Sequence, residues 1–230
     1  MARLPRLVVP GMAHHVVLRG HNGQRVFADD DDRRRCLDAL AEGLRAQSIA
    51  LLAYALLDDE VRLLLVPQQA DAIGRLLQGV GRRYGAYFNR RHGRRGTLWD
   101  GRFRAGVVEP GEATLQCLCW VDGLPQQRGQ AADAAGAWGS AAHRLGLRRD
   151  RLVTDPPEYW ALGNTPFERE AAWARRLRQG LDPAQAERLE HAARHGWAWG
   201  SAAFAAGLAD AVGRATAPRP RGRPPRSPAA

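Results

Sequence analysis

Two pairs of residues in this sequence have the chemistry to bind a metal ion. His14 and His15 are adjacent in a run with β propensity, and Asp58 and Glu60 stand two residues apart at a charged turn. Neighbouring residues of a strand point to opposite faces, so the two histidines cannot form one site together. The carboxylates share one face if the strand continues through the turn, and they offer the hard oxygen ligands that Mg²⁺ prefers. Arg62 follows on that face, where its fixed positive charge opposes a bound cation.

Tyrosine side chains are the candidate nucleophiles. Tyr84 and Tyr87 fall on the apolar face of a helical pattern, which favours a core position over a catalytic one. The cysteines form no C-x-x-C pair, and their odd number does not indicate a disulfide framework. We predict buried thiols in a reducing cytoplasm for all three, which are Cys36, Cys117 and Cys119.

The composition indicates a globular protein with a polyanionic partner. The 230 residues are 45% hydrophobic, enough for one sizeable core and a small accessory unit, which excludes a wholly disordered chain. The 34 basic side chains outnumber 24 acidic ones, and the net charge of +10 favours nucleic acid or an anionic surface. No stretch approaches 18 consecutive apolar residues. We therefore expect a cytoplasmic protein with no membrane partner.

The excess charge is concentrated in two segments. Residues 75–104 hold nine arginines and one acid, and residues 214–230 hold five arginines and no acid. Clustered cations favour a phosphate backbone because binding releases counterions. Trp99 lies among the arginines of the first segment, and an indole there can stack on an unpaired base. We predict DNA contacts in this segment from Trp99 and from Arg75, Arg82, Arg83, Arg90, Arg91, Arg94, Arg95, Arg102 and Arg104.

The second segment contains the string Pro220-Arg221-Gly222-Arg223-Pro224, which is similar to the core of an AT-hook. A glycine between two arginines lets an extended backbone enter a narrow minor groove with both guanidiniums along its floor. A generic basic tail explains the string equally well. In either interpretation, Arg221 and Arg223 are candidate DNA contacts.

Hydrophobic periodicity predicts an α+β fold with a ferredoxin-like βαββαβ order and one extra helix. The predicted strands cover 14–19, 49–57, 61–66 and 103–108. One predicted helix begins near Asp29, and two more cover 71–91 and 112–121. Further helical patterns cover 166–179, 183–195 and 201–212. We therefore predict a DNA-binding domain over 1–125, a linker or extension over 126–165, a small all-α region over 166–214 and a disordered Pro/Arg tail over 215–230.

Several strings resemble the REP-associated tyrosine transposases, the single-tyrosine branch of the HUH nucleases. The resemblance covers about residues 2–146, and it implies a ferredoxin-like domain that recognises imperfect DNA hairpins and cuts single-stranded DNA beside them. Active members are expected to use Mg²⁺ or Mn²⁺. The strings that carry it are Ala2-Arg3-Leu4-Pro5-Arg6, His15 to Gly20, Gly81-Arg82-Arg83-Tyr84, Tyr87-Phe88-Asn89-Arg90-Arg91 and Gly96-Thr97-Leu98-Trp99-Asp100-Gly101-Arg102-Phe103-Arg104.

The residues that carry out the family's reaction are replaced in this chain. The resemblance places the two metal-binding histidines at Glu60 and Arg62, the nucleophilic tyrosine at Trp120 and a further polar residue at Leu124. Glu60 still offers an oxygen ligand, but tryptophan has no ionisable hydroxyl and cannot form a phosphodiester link. We therefore predict a DNA-binding protein with a degenerate active site and no cofactor of its own.

The sequence leaves other functions open. One is an active transposase or nuclease that uses Asp58, Glu60 and a displaced tyrosine. Another is a non-enzymatic partner that regulates an intact homologue through its DNA-binding or dimer surface, and a third is a decayed gene without a selected role. The sequence does not decide whether the chain forms homo-oligomers.

Overall fold

The computed structural model describes residues 6–218, in which one four-stranded sheet carries helices on both faces. The strands are β1 (Ala13–Arg19), β2 (Ala50–Leu57), β3 (Glu60–Val66) and β4 (Arg104–Val108), in the spatial order β2-β3-β1-β4. Each neighbouring pair is antiparallel. With a helix after β1 and another after β3, this is the predicted ferredoxin-like βαββαβ arrangement, and the α+β prediction is confirmed.

The helices of the described residues divide between the two faces of the sheet. The first two pack on one face through their buried apolar side chains, and the third, sixth and seventh pack on the other. The helices are α1 (Asp30–Ala46), α2 (Ala72–Arg91), α3 (Glu112–Gln127), α4 (Ala141–Arg144), α5 (Pro157–Trp160), α6 (Pro166–Gln179), α7 (Pro183–His195) and α8 (Ala202–Val212). A short 3-10 turn (His21–Gly23) follows β1.

Helix α2 forms although its sequence contains several glycines, each of which costs about 1 kcal/mol relative to alanine. Its apolar side chains recur at helical spacing and are buried against the sheet and α1, which stabilises the helix by tertiary packing. Helix α3 continues six residues beyond its predicted end at 121. Burial of Leu124 and Pro125 favours that extension, although proline removes one backbone hydrogen bond.

The segment predicted as a linker or extension over 126–165 packs against the β2 edge of the sheet. Val153 pairs with Leu51, and the backbone N–H of Leu56 donates to the carbonyl of Trp138 at 2.8 Å. The Ser140 hydroxyl accepts from the backbone N–H of Tyr54 at 2.9 Å. These bonds satisfy the polar backbone groups that the β2 edge would otherwise expose, so the segment extends the sheet domain and is not a free linker.

The region 166–214, predicted as a small all-α region, packs on the sheet. After α7, Trp199 donates its backbone N–H to Val107 and accepts one from Glu109, at 2.7 and 2.8 Å, so the chain covers the β4 edge. Gly106 permits the close approach, since a Cβ there would lie 2.6 Å from the carbonyl oxygen of Trp197. The helices predicted for this region are observed.

The tail predicted as disordered starts at residue 215, but its second residue packs in the protein. Thr216 is 1% exposed, and its carbonyl accepts the backbone N–H of Ala198 at 2.7 Å. Arg221 and Arg223, with the rest of the AT-hook-like string, lie outside the described residues. The three cysteines are buried and free, as predicted. Within residues 6–218, no helix combines the length and hydrophobicity of a membrane span.

Candidate functional site

The positions that the resemblance assigns to the metal ligands and the nucleophile meet in one buried polar cluster. Arg62 donates from Nε and Nη2 to Oε1 of Glu60, at 3.0 and 2.9 Å, because alternation along β3 puts both on the same face. Its Nη1 donates to Oε1 of Glu190 on α7 at 2.5 Å. Trp120 on α3 donates its indole N–H to that same oxygen at 2.7 Å. These four residues are called the sealed cluster below.

The charges of the sealed cluster are neutralised by partners within the protein. Burial disfavours the charged carboxylate, but Arg62 lowers the pKa of Glu190 to about 2. Burial also opposes the guanidinium charge, yet Glu190 and Glu60 raise the pKa of Arg62. Arg128 and Arg19 lie within 3.1 and 3.4 Å of the Glu60 carboxylate at its outer side. The cluster is thus held as ion pairs at neutral pH.

The donor atoms of the sealed cluster do not fit a divalent cation. Oε1 of Glu60 and Oε1 of Glu190 both accept hydrogen bonds from Arg62, whose guanidinium stands between them. Among the described residues, no three His, Cys, Asp or Glu side chains are grouped as metal ligands would be. Leu124, the fourth position that the resemblance assigns to the site, lies on α3, is 2% exposed and packs in the apolar core.

Asp58 and the histidines do not supply the missing ligands. Asp58 lies in the turn before β3, where it pairs with Arg33 at 2.6 Å and Arg25 at 3.2 Å and not with Glu60. His14 donates from Nδ1 to the Met12 carbonyl, and its Nε2 accepts from the backbone N–H of Val9. The proposed pairing of Asp58 with Glu60 is therefore not formed.

His15 lies beside the sealed cluster on the face opposite to His14, as strand alternation predicts. Both of its ring nitrogens are buried without a hydrogen-bond partner in residues 6–218. Burial, with the positive charge of Arg62 as a second cause, lowers the pKa of His15 to about 3. The imidazole is consequently neutral across the physiological pH range.

Three of the four tyrosines have hydroxyls bound to other parts of the protein. Tyr84 donates to the carbonyl of Val26 at 2.5 Å, Tyr54 to Asp150 at 2.7 Å and Tyr159 to the carbonyl of Arg144 at 2.8 Å. Burial raises the pKa of all three phenols, which disfavours the phenolate. Tyr87, the fourth, packs against the core beside Tyr84.

The predicted DNA-contacting segment lines both sides of an open groove of about 660 Å³. The groove lies between the first turns of α2, the end of β1 and the segment that leads into β4. Arg75 and Arg82 project from α2, and Arg102 projects from the facing segment. Gly74 and Gly81 line the helix side; Gly74 leaves the backbone accessible, whereas Gly81 packs against Trp99. These residues and the cavity they line are called the basic groove.

The arginines of the predicted segment differ in how they are neutralised. Arg82, Arg90, Arg95, Arg102 and Arg104 are exposed and form no ion pair within residues 6–218. The remaining predicted arginines contact neighbours: Arg75 binds Asp71 at 2.8 Å, Arg83 binds Glu42 at 2.5 Å, Arg91 binds Asp29 and Asp32 at 2.7 and 2.6 Å, and Arg94 contacts Asn89 and Gln24. The unpaired arginines are therefore the better phosphate ligands.

Trp99 lies at the floor of the basic groove and is only 7% exposed. Its ring packs 6.0 Å from that of Tyr84, and Gly81 leaves room for the indole against α2. A base can stack only on an exposed ring face, so this position supports the groove wall more than it offers a stacking surface. Sequence reasoning missed Glu190, whose pairing with Arg62 spans 128 residues.

Comparison with solved structures identifies the fold. A REP-associated tyrosine transposase bound to a REP hairpin superposes with a TM-score of 0.53 at 13% identity, over 69% of this chain and 96% of that chain. A Deinococcus radiodurans R1 protein, provisionally described as a transposase, gives a TM-score of 0.37 at 21% identity over 56% of this chain and 96% of its own. No protein-family model and no curated protein matches the sequence. The chain therefore has the fold of the REP-associated tyrosine transposases.

Proposed function

We propose that this protein is a relative of the REP-associated tyrosine transposases that binds hairpin or single-stranded DNA through the basic groove and does not cleave it. The observation that carries the proposal is the contrast within one transposase fold: exposed, unpaired arginines line the groove, whereas ion pairs fill the catalytic positions. The structure of a similar fold bound to a REP hairpin supports a DNA ligand.

The groove has the chemistry of a nucleic-acid contact. Arg82 from α2 and Arg102 from the segment before β4 both line it, so each guanidinium can bind a phosphate of a strand in the groove. Arg75 lies two helical turns before Arg82 on α2 and also lines the groove, although Asp71 forms an ion pair with it. Gly74 lets a sugar-phosphate backbone approach the helix closely.

Loss of cleavage follows from the chemistry of the sealed cluster. A tyrosine transposase needs a phenolate to attack the scissile phosphate, and Trp120 has only an N–H donor. It also needs a metal ion to neutralise charge at the phosphate, and Arg62 fills that position with its own counterions in place. Helix α7 covers the cluster, because Glu190 contacts both Arg62 and Trp120.

The test measures binding of a fluorescein-labelled imperfect hairpin by fluorescence anisotropy. The R82Q/R102Q variant removes two unpaired charges from the groove, and we expect its hairpin affinity to fall about tenfold or more. The matched control is R175Q/R178Q, which removes two exposed charges from α6. We expect the control to bind like the wild type.

Two results would contradict the proposal. The first is a wild-type protein that does not bind hairpin or single-stranded DNA at low salt. The second is an equal loss of affinity in R82Q/R102Q and R175Q/R178Q, which would show that net charge and not the groove determines binding.

A further inference from the structure

Two histidines lie side by side at the carboxyl end of α7, outside the sealed cluster and the basic groove. His191 and His195 stand four residues apart, a spacing that puts both on one face of a helix, and their ring centroids are 4.1 Å apart. Both are exposed, whereas Leu189, Ala192 and Ala193 on the other side of α7 are buried. These two residues are called the histidine pair.

The histidine pair differs from the other histidines in its access to solvent. Four of the other five have nitrogens that are buried or bound by the protein; they are His14, His15, His92, which contacts Asp32 at 2.9 Å, and His143, which contacts Asp155 at 3.2 Å. His21, the fifth, is half-buried and has no second histidine near it in the chain. Within residues 6–218, two solvent-facing imidazoles therefore meet only on α7.

A hydrogen bond to the backbone orients one ring of the pair. Nδ1 of His195 lies 2.9 Å from the carbonyl oxygen of His191. A carbonyl only accepts, so Nδ1 carries the proton and the lone pair of Nε2 remains available. Histidines that bind metal ions are held in the same way, by a hydrogen bond from the nitrogen that does not bind the metal.

Trp197 holds both rings in place. Its ring centroid lies 4.8 Å from that of His191 and 4.6 Å from that of His195, on which it stacks. The indole is itself positioned by the helix end, because the backbone N–H of Trp197 donates to the Ala192 carbonyl at 2.9 Å directly after the left-handed Gly196. The imidazoles therefore lose little conformational freedom when they bind an ion.

The charges around the histidine pair favour a cation. The pair lies in the last turns of α7, where the negative end of the helix dipole attracts positive charge. Glu187 is exposed one turn before His191 and forms no ion pair with a described residue. Arg194 lies between the two histidines in sequence, and its charge is directed to Glu190 at 3.9 Å.

We infer that His191 and His195 bind one late first-row transition-metal ion, such as Ni²⁺, Cu²⁺ or Zn²⁺. Imidazole nitrogens suit these ions, whereas Mg²⁺ prefers oxygen ligands. Metal–nitrogen bonds of about 2.0–2.1 Å require two ligand nitrogens about 4 Å apart or less, which exposed rings at this spacing reach by small rotations. The ion would link the last turns of α7 to Trp197, where the chain begins to cover the β4 edge.

The first test is isothermal titration of the untagged full-length chain with Ni²⁺, and with Mg²⁺ as the control ion. We expect one Ni²⁺ to bind per chain and Mg²⁺ not to bind. H191A and H195A should each weaken Ni²⁺ binding about 100-fold, because each removes one of two ligands that bind together. H21A is the matched control and should bind like the wild type. Alanine is favoured at exposed helix positions, so the variants on α7 should fold.

The second test uses Trp197 as a reporter of the ion's position. Bound Cu²⁺ should quench the fluorescence of Trp197, because the indole contacts both ligand rings. W197F keeps an aromatic ring against the histidines, so we expect it to retain Cu²⁺ binding in the titration and to lose the quenching.

Three results would overturn the inference. The first is no Ni²⁺ binding by the wild type at millimolar metal. The second is Ni²⁺ binding by H191A/H195A with the wild-type affinity, which would assign the ion to other groups such as the cysteine thiols. The third is equal quenching by Cu²⁺ in W197F and the wild type, which would place the ion away from α7. None of these measurements contains DNA, so they leave the proposed function to its own test.

Discussion

The sealed cluster and the basic groove use the same side chain for opposite purposes. In the cluster, Arg62 is 2% exposed and bound by two carboxylates, so its charge stabilises the protein's own packing. In the groove, Arg82 and Arg102 are exposed and unpaired within residues 6–218, so their charge is available to a ligand. Burial and pairing, more than residue type, therefore separate a structural arginine from a binding one.

The largest expected effect concerns cleavage. We predict that the unmodified protein does not cut a hairpin-flanked single strand in Mg²⁺ or Mn²⁺ and forms no covalent adduct with it. The loss of a nucleophile alone costs about 10⁴-fold or more in comparable reactions, and Trp120 cannot replace a tyrosine. A labelled substrate resolved on a denaturing gel measures both products. A metal-dependent covalent band that disappears when one tyrosine is mutated would show a displaced active site.

Restoring the reaction tests whether the cluster is sealed in the way described. Glu60→His, Arg62→His and Trp120→Tyr return the required side chains, but Glu190 would still occupy the space beside positions 62 and 120. We expect no activity until Glu190→Ala is added as well. Activity in the triple variant with Glu190 in place would show that α7 does not block the site.

The second effect is the salt dependence of hairpin binding, which the unpaired groove arginines should dominate. With about five to eight phosphates neutralised, log K should fall against log salt with a slope of about −4 to −6. That slope means a loss of about 250- to 4,000-fold between 50 and 200 mM salt. R82Q/R102Q should make the slope about 2 less negative. A flat salt dependence in the wild type would contradict the electrostatic account.

The third effect is on stability and applies only to the cluster. Arg62→Leu leaves the carboxylates of Glu60 and Glu190 without their shared buried partner, and we expect a loss of about 3 to 5 kcal/mol in the free energy of unfolding. Glu112→Ala is the control, because it breaks an exposed pair with Arg176 and should cost about 1 kcal/mol or less. Urea denaturation measures both. Equal losses in the two variants would show that the buried ion pairs of the cluster stabilise the fold no more than an exposed pair does.

Local pattern predicted most of the fold, and distance along the chain explains what it missed. The strands and the helices α6, α7 and α8 were predictable from periodicity, and the turn at residues 58–59 from its charges. Glu190 was not, since nothing in α7 indicates a partner 128 residues earlier. The packing of 126–165 on β2 was missed for the same reason. The ion pair between Arg91 and Asp29 is likewise a long-range contact, so fewer arginines are unpaired than the sequence indicates.

The smallest effect is a pH dependence that arises from the histidine beside the sealed cluster. The folded-state pKa of His15, about 3, lies below its ordinary value of 6.5 because burial and the nearby charge of Arg62 disfavour the protonated ring. Between pH 6.5 and pH 3 the unfolded chain binds a proton at His15 and the folded chain does not. The free energy of unfolding is therefore highest above pH 6.5 and falls as the pH drops toward 3. At pH 5 the loss from this residue should be about 2 kcal/mol.

His15→Leu should therefore be more acid-resistant than the wild type while remaining similar at pH 7, as measured by urea denaturation at both pH values. The same decline with pH in both proteins would show that His15 is protonated in the fold and that the cluster beside it is open to water.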